Sequence, residues 1–165
     1  MRALKIFGLI LFALISCKKD CDTNPSSISE SGCGDFSVYS TQTVPNHEHA
    51  FVMFRLMKDS VNLTKSYQSF DLATNPFVIT AIEAFNQSYQ PYCTDVVIPG
   101  FEMTNKWEVQ SGKAEVRIVR DKNECEFGYV VDVIIRNATY QDSTGNTITI
   151  TEKVFDNVLV GWYAG

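Results

Sequence analysis

The chain is short of histidine, tryptophan, proline and glycine, with 2, 2, 5 and 9 of them among 165 residues. Two histidines leave little imidazole for acid–base work, and without a Gly-x-Ser-x-Gly elbow a serine triad has no visible frame. No two of the five cysteines stand at C-x-x-C spacing, so the usual signature of thiol redox chemistry or of a zinc knuckle is missing. Basic residues are outnumbered 14 to 19, a net charge of −5. There is neither a glycine-rich phosphate loop nor a basic–aromatic patch, and nucleic acid is not an expected partner. Ile6 to Ile15 is an uncharged apolar run of ten residues. As a helix it rises about 15 Å, half of the roughly 30 Å of bilayer hydrocarbon, so it does not read as a permanent span. What remains is ample for a packed core: 45% hydrophobic, 12% aromatic and 20% charged residues, in a length that suits one domain.

The apolar run follows Arg2 and Lys5, the arrangement of a secretory signal. It ends in Leu14-Ile15-Ser16-Cys17, which resembles the lipobox of bacterial lipoproteins. The resemblance implies cleavage before Cys17, with a diacylglyceryl group on its thiol and usually an acyl chain on the new amine. Residues 1–16 are thus expected to be a removed signal peptide, residues 17–34 a lipidated N-terminus and flexible tether, and residues 35–165 a single all-β domain. Removing the signal takes Arg2 and Lys5 and leaves 12 basic against 19 acidic residues, a net −7. Such a body is repelled by anionic lipid, so the acyl chains must hold it, at roughly 0.8 kcal/mol per buried CH₂. Lys18 in place of Asp after the cysteine resembles lipoproteins sent on to the outer membrane, which leaves the periplasmic and the surface face both open. Lys18-Lys19-Asp20-Cys21-Asp22 partly resembles the surface-export tag of Bacteroidetes-type lipoproteins, with Cys21 interrupting the acidic run.

From residue 35 on, the pattern has period two. Phe36 to Tyr39 and Ala50 to Met57 are short and β-rich, and Ala114, Val116 and Ile118 alternate with charges. Tyr129, Val131, Val133 and Ile135 share a face, and Thr147-Ile148-Thr149-Ile150-Thr151 alternates strictly before a last apolar run from Val154 to Tyr163. Ser111-Gly112 and Ser143 to Asn146 read as turns between such runs. Asn75 to Phe85 carries a cap-like Asn-Pro, but Val78, Ile79, Thr80 and Ile82 are β-branched and favour a strand. The expected fold is an antiparallel β-sandwich of immunoglobulin-like type, with a calycin-like β-barrel as the alternative and a C-terminal meander in either.

With Cys17 given to lipid, Cys21, Cys33, Cys93 and Cys125 form an even set outside the reducing cytoplasm, so two disulfides are expected. Sequence order favours Cys21–Cys33 with Cys93–Cys125, and the main rival ties Cys33 to Cys93. Cys17, Cys33 to Tyr39, Tyr92 to Val96, Trp107 with Ser111 to Lys113, Arg136 to Tyr140 and Val160-Gly161-Trp162 together resemble a group of small Bacteroidetes-type lipoproteins of unknown function. The resemblance implies a lineage and an envelope location and supplies no catalytic residues.

Constellations with chemistry are few. His47-Glu48-His49 would put both imidazoles on one side if extended, a weak metal candidate that reads more simply as a polar loop after Pro45-Asn46. Phe85 to Tyr92 interleaves aromatics with amides, a mixture that suits sugars, and makes Tyr89, Gln90 and Tyr92 candidate glycan contacts. The plainer reading makes Phe85 and Tyr92 core anchors around a polar turn. Asp59-Ser60-Val61 and Asp142-Ser143-Thr144 resemble O-glycosylation acceptors of Bacteroidetes-type exported proteins. The expected function is a membrane-anchored envelope lipoprotein acting as a non-catalytic binding or structural accessory module, without a cofactor. A surface glycan-binding module is the alternative and an envelope hydrolase the third choice. Expected partners are the membrane, through the lipid, and a glycan or another envelope protein.

Overall fold

The computed structural model describes residues 30–34, 36–57, 60–88, 92, 98–124 and 128–161. They form eight strands and no helix: β1 (Glu30–Cys33), β2 (Ser37–Thr41), β3 (His49–Leu56), β4 (Gln68–Asp71), β5 (Val78–Phe85), β6 (Met103–Arg120), β7 (Tyr129–Gln141) and β8 (Thr147–Val160). All pair antiparallel in one sheet in the order β1-β2-β3-β5-β6-β7-β8, with β4 also on β6. The all-β antiparallel expectation holds, as do the C-terminal meander and the strand at Val78–Phe85.

The sheet curls until its first and last strands meet. Gly161 N–H donates to the Gly34 carbonyl at 2.7 Å, and a Cβ on Gly32 would lie 2.8 Å from the Cγ1 atoms of both Val158 and Val160. Glycine at 32 is therefore what lets β1 approach β8 so closely. Such a curled sheet accords with either a sandwich or a barrel-like fold. It encloses one core to which the strands contribute alternate residues. In β3, Ala50, Val52, Phe54 and Leu56 are buried, whereas Phe51 and Met53 are half-buried and Arg55 is exposed. Fully burying one such aliphatic or aromatic side chain contributes roughly 1.5–3 kcal/mol. Ile82, Trp107, Val116, Val133, Ile135, Tyr140 and Phe155 complete its centre.

Three boundaries differ from those expected of the sequence. Ser111-Gly112 is not a turn between strands but a bulge inside the 18 residues of β6. Gly112 has φ +125°, and a Cβ there would sit 2.6 Å from the Ala138 Cα, so the bulge depends on glycine. At the same point β6 changes neighbour, from β5 to β4, and the Gly112 carbonyl accepts the Leu72 N–H at 3.0 Å. Thr147–Thr151 and the apolar run after it form a single strand, β8, with Phe155 buried in its middle. Finally, Glu30–Cys33, within the stretch expected to be tether, is strand β1.

Candidate functional site

Two neighbourhoods gather the candidate residues that the structure describes. The first lies on the outer face of β2, β3 and β5. Val38, Val52 and Ala84 face the core, so Tyr39, Phe51, Glu83 and Phe85 face outward by alternation. Tyr92 returns over this face, its ring 4.9 Å from Tyr39, 6.0 Å from Phe51 and 6.5 Å from Phe85. Phe101 stacks on Phe85 at 4.8 Å. The Tyr92 hydroxyl donates to Glu83 Oε2 at 2.6 Å, and burial first, the neighbouring carboxylate second, push its pKa well above the usual tyrosine range. The amides of Asn86 and Gln87 both donate to the Gly100 carbonyl, and Asn86 Oδ1 accepts the Glu102 N–H. Phe85 and Tyr92 thus pack against their neighbours, and Tyr92, Asn86 and Gln87 make hydrogen bonds within the fold. Tyr89 and Gln90 lie outside the described residues.

The second neighbourhood is the β2–β3 connection. Asn46, at φ +64°, turns the chain, and the His47 N–H donates to the Val44 carbonyl at 3.1 Å. His47 meets the Trp107 ring edge-on at 5.0 Å, while His49 opens β3 opposite Phe85. A cavity of about 470 Å³ is lined by Thr41 to Val44, Asn46 to Glu48 and Ala50. Trp107 is buried and its indole N–H has no acceptor among the described residues. Among the described residues no group of three or more His, Cys, Asp or Glu side chains is placed to hold a metal ion.

Cys33 is disulfide-bonded at the end of β1. Cys17, Cys21, Cys93 and Cys125 lie outside the described residues, as does Trp162.

Two polar centres each gather around one carboxylate. Asp132 sits among valines in β7 yet is only 2% exposed. It accepts from Arg117 Nε at 2.7 Å and Nη2 at 2.6 Å, from the Tyr67 hydroxyl at 3.3 Å and from the Asn157 N–H at 2.9 Å. The hydrogen bond and charge of Asp132 raise the Arg117 pKa. Arg117 also lies over the Tyr67 ring, 4.6 Å from its centroid. The second is Asp142 at the β7–β8 turn, which accepts from the backbone and side chains of Thr144 and Asn146 and from the Asn105 amide. The Asn146 and Thr144 side-chain bonds hold it well below the usual carboxylate range. The Thr144 hydroxyl, part of a suggested glycosylation acceptor, is thereby donated to Asp142.

One more surface stands out. Met57, Phe77 and Ile79 are 43%, 38% and 40% exposed, and Met57 N–H donates to the Phe77 carbonyl, which joins the end of β3 to the start of β5. No family model, no curated protein and no solved structure matches this chain.

Proposed function

We propose that this chain is an exported lipoprotein of the cell envelope, held to the outer membrane through lipid on Cys17, whose β-body is a non-catalytic binding or structural accessory module. The observation that carries the reading is Leu14-Ile15-Ser16-Cys17 directly after a charged start and a ten-residue apolar run. The position of β1 is in keeping with it: residues 18–29 separate Cys17 from Glu30, and 12 residues reach at most about 40 Å when extended. The bonded state of Cys33 fits two disulfides among Cys21, Cys33, Cys93 and Cys125. Peptide mapping without reductant distinguishes Cys21–Cys33 from Cys33–Cys93, and two or more free thiols would reject the framework.

The test of the anchor is Cys17→Ala. The wild-type protein should incorporate radiolabelled fatty acid and run at the mass of the cleaved chain. The variant should incorporate none and should accumulate as the uncleaved precursor. A variant labelled and cleaved like the wild type removes the reading. The glycan-binding alternative draws on Phe85 to Tyr92 and ranks second, because Tyr92, Asn86 and Gln87 spend their polar groups on Glu83 and Gly100.

A further inference from the structure

Among the described residues one edge of β8 is unpaired over much of its length. The strand pairs with β7 along Thr147–Val160, and β1 approaches the other edge only near Val158 to Gly161. Among the described residues no strand pairs with that edge from Thr147 to Asp156. Exposed strand edges carry unpaired N–H and C=O groups, and proteins usually blunt them with charge, proline or a bulge. Thr147-Ile148-Thr149-Ile150-Thr151 has none of these. Thr147, Thr149 and Thr151 are exposed, whereas Ile148 is half-buried and Ile150 buried.

The segment is also a palindrome. An antiparallel copy of T-I-T-I-T, centred on Thr149, sets Thr147 against Thr151, Ile148 against Ile150 and Thr149 against itself. Every position then meets its own residue type on its own face. Cross-strand Thr–Thr and β-branched pairs each contribute to sheet stability, and two-fold pairing of this kind needs the same patch from both partners. A chain with a net charge of −5 further favours contact through an uncharged stretch.

The direction of the strands disfavours the nearest competitor. Six antiparallel steps separate β1 from β8 in the sheet, so the two run the same way. A straight continuation of β1 toward the N-terminus would meet this edge in parallel, the less stable pairing, and would bring in Pro25, which has no N–H to give. A second copy meets it antiparallel. We propose that Thr147–Thr151 is a self-association edge, on which another copy of this chain pairs about a two-fold axis through Thr149.

Register gives the test its specificity. In the full chain purified in detergent, Thr149→Cys should form a reducible dimer under copper-phenanthroline, the two thiols passing their electrons to oxygen. Thr147→Cys alone should not link, because its two copies lie about 14 Å apart in this register, twice the reach of a disulfide. An equal mixture of Thr147→Cys and Thr151→Cys should link again. Thr149→Lys, at an exposed position that leaves the core untouched, should abolish concentration-dependent dimerisation in sedimentation equilibrium. Absence of a dimer in every case overturns the proposal, as does equal linking of Thr147→Cys with itself. A link from the new thiol of Thr149→Cys to Cys21 of the same chain would assign the edge to the N-terminal segment and overturn it too.

Discussion

At the residue scale the core holds one polar pair whose proton can be placed. The Thr80 hydroxyl lies 2.7 Å from the Met53 carbonyl and 3.0 Å from the Tyr140 hydroxyl. Thr80 has one hydrogen and the carbonyl can only accept, so Thr80 donates to Met53 and Tyr140 donates to Thr80. Thr80→Val removes that acceptor and leaves a buried phenol unpaired, which should destabilise the fold by about 1–3 kcal/mol in denaturant titration. Burial pushes the Tyr140 pKa up to about 12. A raised folded pKa stabilises the fold fully below the unfolded value near 10, and that stability is lost as pH rises through about 12. Tyr140→Phe should therefore unfold at higher pH than the wild type when circular dichroism is followed from pH 9 to 13. An unchanged alkaline midpoint would show that Tyr140 ionisation does not drive the transition.

Asp132 is the other residue on which much converges. Its carboxylate holds Arg117 and Tyr67 and takes the N–H of Asn157, which itself has φ +54°. Asp132→Ala should cost about 1–3 kcal/mol in denaturant titration, whereas Tyr67→Phe, which removes only one long bond at an exposed side chain, should cost less. Equal effects would mean that the centre is not organised by the carboxylate. Asp142 predicts an acid response. Its folded pKa is depressed, so its contribution is present above the unfolded value and is lost as pH falls through the folded one. Asp142→Asn should lower Tm at pH 7, with a gap that closes only at pH values below the ordinary carboxylate range.

At the scale of elements, β6 turns on one residue. Gly112→Val must place a Cβ against the Ala138 backbone in a positive-φ conformation, and strained backbone of this kind costs about 1–3 kcal/mol before any clash is counted. A Tm equal to that of the wild type would contradict the bulge. The end of β8 carries a larger share. Truncation after Phe155 removes buried Val158 and Val160 and the Gly161–Gly34 bond that joins the sheet's two edges. Two buried valines contribute roughly 3–6 kcal/mol together, against the 5–15 kcal/mol that typically holds a domain folded. The truncated chain should be protease-sensitive throughout. Persistence of a resistant body would show that β8 ends before Val158 in its stabilising role.

The same elements mark how far the sequence could be read. The TITIT stretch was legible by its alternation and β7 by the shared face of Tyr129, Val131, Val133 and Ile135, although Val130 and Asp132 are buried as well, whereas β3 and β5 were legible by their β-rich and β-branched composition. Glycine punctuates both turns and bulges, and only Ala138 across the ladder decides between them at Gly112. Glu30–Cys33 has no strand signal of its own, since β1 exists by pairing with β2 and by the space that Gly32 leaves for β8. The short β4 was invisible for a related reason: Gln68–Asp71 buries only Phe70 and owes its conformation to β6. At the candidate sites, His47 meets Trp107 and His49 stands opposite Phe85, partners far along the chain that the local pattern of His47-Glu48-His49 does not announce. Tyr92 was legible as an anchor, whereas its Glu83 partner, nine residues earlier in β5, was not.

At the scale of the whole molecule, the proposed lipid-bearing N-terminus leads into a curled sheet. Beyond the expected signal the chain carries a net −7, which disfavours adhesion of the body to anionic lipid. The acyl chains alone would then hold the protein, within about 40 Å of the membrane. The most direct measurement is the mass of the N-terminal peptide from the protein isolated from its own membranes. The expected result is a peptide beginning at Cys17 and carrying the mass of a diacylglyceryl group, with or without one further acyl chain. A mature protein beginning elsewhere, or Cys17 without lipid, would contradict it.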